Sequence, residues 1–115
     1  ALETAVLLKP QPIPITDANF DHMVLKSPVP ALVECWAPGC PACRTLSPLV
    51  DEIARNLKGK IRVGKLNVEQ NPGMSSKFDL RSVPVLLLFD AGRLADQIIG
   101  AVPREIILQK LLPYL

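Results

Sequence analysis

Between residues 31 and 57 the apolar residues change their period, and that change limits the fold more than anything else in the chain. Ala31-Leu32-Val33-Glu34-Cys35-Trp36-Ala37 is a continuous apolar run interrupted once, by Glu34. A run of this length and composition reads as a strand buried on both faces. From Cys43 onward Leu46, Leu49, Val50, Ile53, Ala54 and Leu57 recur at helical spacing, with Asp51 and Arg55 four residues apart on the polar side. Pro48 falls inside that helix and should bend it, and Gly59 ends it. A buried strand feeding directly into an amphipathic helix is the first half of a βαβ unit, which needs a parallel partner strand. Ile61 to Val68 supplies one.

The remaining segments extend the same alternation. Pro10, Pro12 and Pro14 alternate with Gln11 and Ile13, which suits an extended lead-in arm and an edge strand. Thr16 or Asp17 reads as the N-cap of a helix from Ala18 to about Lys26, stopped by Pro28 and Pro30. Asn71-Pro72-Gly73 opens a short helix to about Phe78. Val85 to Phe89 reads as a central strand, and Asp90-Ala91-Gly92-Arg93 as a hairpin turn into Leu94 to Ile99. Pro103 occupies a first-turn position before a closing helix through Ile106, Ile107, Leu108, Leu111 and Leu112. The expected order is β-α-β-α-β-α-β-β-α, an α/β fold with a mixed central sheet covered by helices. We expect an N-terminal extension over residues 1–10 and one domain over residues 11–115. A chain of 115 residues is one domain's worth.

Composition narrows the function. Net charge is 13 − 11 = +2, too small for a nucleic-acid surface or a polybasic membrane contact. No apolar run is long enough to span a membrane. Ala5 to Leu8 is apolar, but Glu3 precedes it and no basic stretch does, so a signal peptide is not expected and a cytoplasmic location is. The chain begins at Ala1 without Met, which leaves a removed initiator, leader or upstream segment open. Three cysteines are too few, and odd in number, for a disulfide-stapled scaffold. They also leave a structural zinc site short of ligands, because His22 is the only histidine. No metal and no bound cofactor are expected, and His22 is read as a surface residue.

The chemistry is carried by Cys40-Pro41-Ala42-Cys43, at the junction of the buried strand and the long helix. Backbone N–H groups and the dipole at a helix start stabilise a thiolate on the first cysteine and lower its pKa. Cysteines at i and i+3 can close a small disulfide ring, so the pair can pass two electrons through a mixed disulfide. Cys40, the more exposed, is the expected attacker and Cys43 the resolver. The competing readings are half of a zinc site and two bystander cysteines.

The segment Leu32 to Arg44, with Trp36-Ala37-Pro38-Gly39-Cys40-Pro41-Ala42-Cys43 at its centre, resembles the active-site segment of thioredoxins. The likeness continues through Pro48, Gly64-Lys65-Leu66-Asn67-Val68, Asn71-Pro72-Gly73, Val83-Pro84-Val85, Asp90-Ala91-Gly92 and Gly100-Ala101, over about residues 11–115. It implies the thioredoxin fold and a protein-disulfide reductase, a monomer that exchanges its dithiol with disulfide-containing substrate proteins. A thioredoxin-reductase-type electron donor would return it to the dithiol. By position, Pro84 matches the family's cis-proline facing the cysteines, and Val83 would pair with an extended substrate. Gly39, Pro41, Ala42, Gly100 and Ala101 would border that substrate. Glu34 matches the family's buried acid, where aspartate is usual, and would shuttle a proton for Cys43. It could equally be a core acid tied to Lys65, and both can hold together. Trp36 matches the tryptophan beside the site, with plain packing as an equal reading. Cys35 falls where an aromatic is usual and reads as a small buried hydrophobe.

Two departures bear on partner choice. Pro-Ala replaces the usual Gly-Pro between the cysteines, and Pro41 removes a backbone donor beside Cys40. Gly39 stands where a tryptophan is usual, so a large contact surface is lost. Phe78-Asp79-Leu80-Arg81-Ser82-Val83-Pro84 and Gly100-Ala101-Val102-Pro103-Arg104 further resemble bacterial type-2 thioredoxins, without their zinc-binding arm. The alternatives are an oxidase or isomerase in an oxidising compartment, and a non-catalytic binding or metal-carrying module on the same fold.

Overall fold

The apolar run and the helical repeat that follows it form as their periods require. In the computed structural model, which describes residues 12–115, the run is strand β2 (Ala31–Trp36). It lies second from neither edge but at the middle of a five-stranded sheet. The other strands are β1 (Ile13–Ile15), β3 (Arg62–Asn67), β4 (Val85–Asp90) and β5 (Arg93–Ile99), and the spatial order is β1-β3-β2-β4-β5. β3 pairs in parallel with β1 and β2, whereas β4 is antiparallel to β2 and to β5. The helices are α1 (Pro41–Asn56), α2 (Pro72–Lys77) and α3 (Arg104–Leu111). This is the expected mixed α/β architecture. The expected extension over residues 1–10 lies outside the described residues.

Alternation along the central strands sorts the core into two layers. Leu32 of β2, Val63 of β3, and Leu86 and Leu88 of β4 face Leu46, Val50 and Ile53 of α1 and Ile107 and Leu111 of α3. Ala31, Val33 and Cys35 of β2 face the other way, with Val85, Leu87 and Phe89 of β4 and Leu66 of β3. There Phe20, Phe78 and Phe89 stack edge-on or tilted, with centroids 5.3–5.6 Å apart. Each fully buried leucine or phenylalanine contributes about 1.5–3 kcal/mol relative to exposure. Glu34, one step from Leu32 in the two-residue period, therefore lies on the α1 side, and Cys35 lies on the opposite side.

Two expectations are corrected. The helix anticipated from Ala18 to Lys26 is instead a single π-helical turn, Asp21–Leu25, closed by Lys26 N–H donating to the Asp21 carbonyl at 3.0 Å. Asp17 does not cap it. Its carboxylate accepts from Gly73 N–H at 2.9 Å and Met74 N–H at 2.8 Å, at the start of α2. Thr16 does open the local turn, its hydroxyl accepting from Asn19 N–H at 3.2 Å. The wider turn keeps both Phe20 and Val24 buried in a segment that Pro28 soon ends. Pro103 is the N-cap of α3, one residue before the position expected of it.

Register brings three segments to one end of the sheet. Cys35 pairs with Val85 and Val85 with Ile99. The residues following β2, preceding β4 and following β5 consequently leave the sheet side by side. Those are the Cys40 loop, Val83-Pro84 and Gly100-Ala101.

Candidate active site

Cys40 is the N-cap of α1, and Pro41 is the helix's first residue, where its missing N–H removes nothing from the hydrogen-bond ladder. Gly39, at φ +72°, turns the chain into this cap, and a side chain there would project into open space. Cys40 Sγ accepts from Cys43 N–H at 3.1 Å, which satisfies one of the donors a helix start leaves open. The two cysteines form a disulfide, with Cα atoms 5.2 Å apart. Cys43 is buried, Cys40 half-buried and Pro41 exposed, with Ala42 between them half-buried. The expected division into a reachable first cysteine and a sheltered second one is thus present in the geometry.

Facing them is the Val83–Pro84 peptide, which is cis. A cis X–Pro bond is a minority state that folded proteins keep at tight turns and sites. Cys40 Sγ lies 3.9 Å from the Val83 carbonyl oxygen. Pro84 is buried and Val83 half-buried. The Pro84 carbonyl accepts from Gly100 N–H at 2.9 Å, which holds the Gly100-Ala101 turn against the cis-proline. Gly100 has φ +91° and Ala101 is exposed.

On the α1 side a groove of about 370 Å³ runs from the cysteines toward Glu34, lined also by Trp36, Gly39, Ser47 and Lys65. Glu34 is 1% exposed, and among the described residues its Oε1 has no hydrogen-bond partner. Burial raises its pKa above 4.5; the Lys65 charge opposes that rise and the Asp51 charge adds to it. Glu34 and Lys65 are register partners on β2 and β3, yet Lys65 Nζ stands 3.7 Å from Glu34 Oε1. It is 2.8 Å from Asp51 Oδ1 and also donates to Ser47 Oγ.

The sequence reading missed Ser47, and it assigned Asp51 to a helical pair with Arg55. The signal was available: Cys43, Ser47 and Asp51 recur every four residues and so descend one face of α1. Cys35, on the far face of the sheet, is the free cysteine of the described residues. Burial, and secondarily Glu34, push its pKa up to about 12, so it remains a thiol. His22 is exposed, as expected.

The family model described as Thioredoxin matches residues 11–112. The chain is 45% identical over 97 residues to Thioredoxin 1 of a Nostoc species, covering 84% of this chain and 91% of that one. The chain belongs to the thioredoxin family. It is also 43% identical to the thioredoxin of a Synechocystis species over 88% of this chain and 94% of that one. A chloroplastic M-type thioredoxin from Chlamydomonas reinhardtii is 40% identical over 96% and 79% of the two chains. None of these three names carries the type-2 designation, so that narrower likeness rests on its two segments alone. Thioredoxins act on disulfide substrates and are recharged by a thioredoxin reductase. This member is a thiol–disulfide oxidoreductase with Cys40 and Cys43 as its redox-active pair. No described helix is long and apolar enough to cross a membrane.

Proposed function

We propose that the chain is a protein-disulfide reductase working as a monomer without a bound cofactor. The observation that carries the reading is the half-buried Cys40 sulfur at a helix N-cap, held by Cys43 N–H and facing the Val83 carbonyl beside a cis-proline. In the reduced protein the same N–H and the helix dipole favour a thiolate on Cys40. That thiolate attacks one sulfur of a substrate disulfide. A Cys40–substrate S–S bond forms, the substrate's own S–S bond breaks, and its second sulfur leaves as a thiolate that takes up a proton. Cys43 then gives its proton toward Glu34 and attacks Cys40 Sγ. The mixed disulfide breaks, the Cys40–Cys43 bond forms, and the remaining substrate sulfur leaves as a thiolate that takes up the proton Glu34 received. Two electrons have moved to the substrate, and a thioredoxin-reductase-type donor restores them.

The substrate lies extended against Val83 and Pro84, with Gly39, Pro41, Ala42, Gly100 and Ala101 bordering its path. Trp36 walls the groove beneath. With Gly39 in place of a large aromatic, the rim next to Cys40 is low and admits a bulkier substrate flank. Lys65 and Glu34 serve the proton step from the α1 side. The activity belongs in a reducing compartment: the cytoplasm on the sequence reading, with a chloroplast stroma as the second reading because a similar M-type protein is named chloroplastic.

The test is a trapping experiment. Cys43→Ser should accumulate a covalent substrate adduct through Cys40 that dithiothreitol releases, while the wild type reduces insulin with dithiothreitol as electron source. A wild-type protein that leaves insulin oxidised would refute the general reductase.

A further inference from the structure

Lys65 is shared unequally. Among the described residues its ammonium is the basic group in contact with Glu34, but its short contacts lie elsewhere: on the Asp51 carboxylate at 2.8 Å and on the Ser47 hydroxyl. Glu34 is left at 3.7 Å, beyond hydrogen-bond reach, with Oε1 unpartnered in the core. A buried carboxyl beside an available ammonium would ordinarily draw it in, because an unpaired buried charge is costly. Here a competing carboxylate sits 42% exposed at the mouth of the same face. Asp51 follows Ser47 and Cys43 at four-residue spacing down α1.

We propose that Asp51, with Ser47, is a positioning residue that holds Lys65 away from Glu34, so that the Glu34 carboxylate is not tied up in an ion pair and is a strong enough base to take the Cys43 proton. This rests on the proton role given to Glu34 in the reductase reading. The groups facing Glu34 are Lys65 from β3 and Cys43, Ser47 and Asp51 from α1; its chain neighbour Cys35 is on the opposite face of the sheet, and Arg44 lines the groove. In the oxidised protein Cys40 and Cys43 do not titrate, and Cys35 titrates only near 12. The Glu34 carboxyl can then be followed without interference from thiols.

The experiment is a carbon-13 NMR titration of the Glu34 carboxyl in the oxidised full chain, for wild type, Asp51→Asn, Asp51→Glu, and Asp51→Asn within Lys65→Met. Asp51→Asn should lower the Glu34 midpoint by about one pH unit, a tenfold change in its protonated fraction ratio. Asp51→Glu should restore the wild-type midpoint. The drop should shrink in the Lys65→Met background to the smaller part that the Asp51 charge exerts on Glu34 directly. In the reduced protein, the inflection in the pH–rate profile for attack by Cys43 should fall with the midpoint. An unchanged or raised midpoint in Asp51→Asn overturns the inference, as does a drop that is just as large without Lys65. Insulin reduction by the wild type separates the two claims. Reduction without the midpoint shift defeats only the inference, and the shift without reduction defeats only the reductase reading.

Discussion

Glu34 is 1% exposed with one oxygen unpartnered, so its ionised form is held in the core at a free-energy cost that its neutral form does not incur. Burial raises its pKa above 4.5, and the folded protein therefore binds this proton more tightly than the unfolded chain does. Stability from this group is greatest below the unfolded value and declines as pH rises through the folded one. Glu34→Gln removes the charge and should stabilise the oxidised protein at about pH 8, on the order of 1–3 kcal/mol. The gain should shrink toward zero below about pH 4. Urea denaturation at both pH values checks this, and a less stable variant at the higher pH would contradict it. Cys35 shows how much one position in the two-residue period matters. It is adjacent to Glu34 in sequence, yet the sheet stands between it and the dithiol.

At the scale of elements, the β4–β5 turn departs from its residues' preferences. Asp90 pairs with Arg93, and both central residues have positive φ, Ala91 at 51° and Gly92 at 79°. Such a two-residue turn matches strand twist and favours asparagine then glycine; alanine in this region is strained by about 1–2 kcal/mol. Ala91→Asn should raise stability by about 0.5–1 kcal/mol without altering disulfide exchange, measurable as a higher thermal midpoint. The turn itself was legible from Asp90-Ala91-Gly92-Arg93, as was β2 from its unbroken run and α1 from its repeat. The segment after Thr16 was not, because Asp17 has capping chemistry that serves α2, more than fifty residues away. Local pattern cannot say which helix an aspartate caps. The Lys65–Asp51 contact was hidden for a related reason. It depends on Glu34 and Lys65 sharing a register position, and register is set by the whole sheet rather than by either strand.

For the molecule as a whole, register and strand direction turn scattered motifs into one site. Cys35, Val85 and Ile99 form a row across β2, β4 and β5, and beyond that row the Cys40 loop, the cis-proline and the Gly100 turn meet. The exchange surface thus occupies one end of the sheet, while the groove to Glu34 opens along the α1 face. The element order and this convergence could be anticipated from sequence because each motif sits at the boundary of a clearly periodic segment. The low rim at Gly39 was visible too, as an absent side chain. The direction of electron flow is the claim on which the reductase reading depends most. It is tested by equilibrating the Cys40–Cys43 pair in glutathione redox buffers and quantifying the dithiol by alkylation and mass. A reducing couple is expected, nearer the roughly −270 mV of thioredoxins than the roughly −180 mV of disulfide isomerases. A potential at or above the isomerase value, toward the roughly −120 mV of a dedicated oxidase, would contradict the reading of this chain as a reductase.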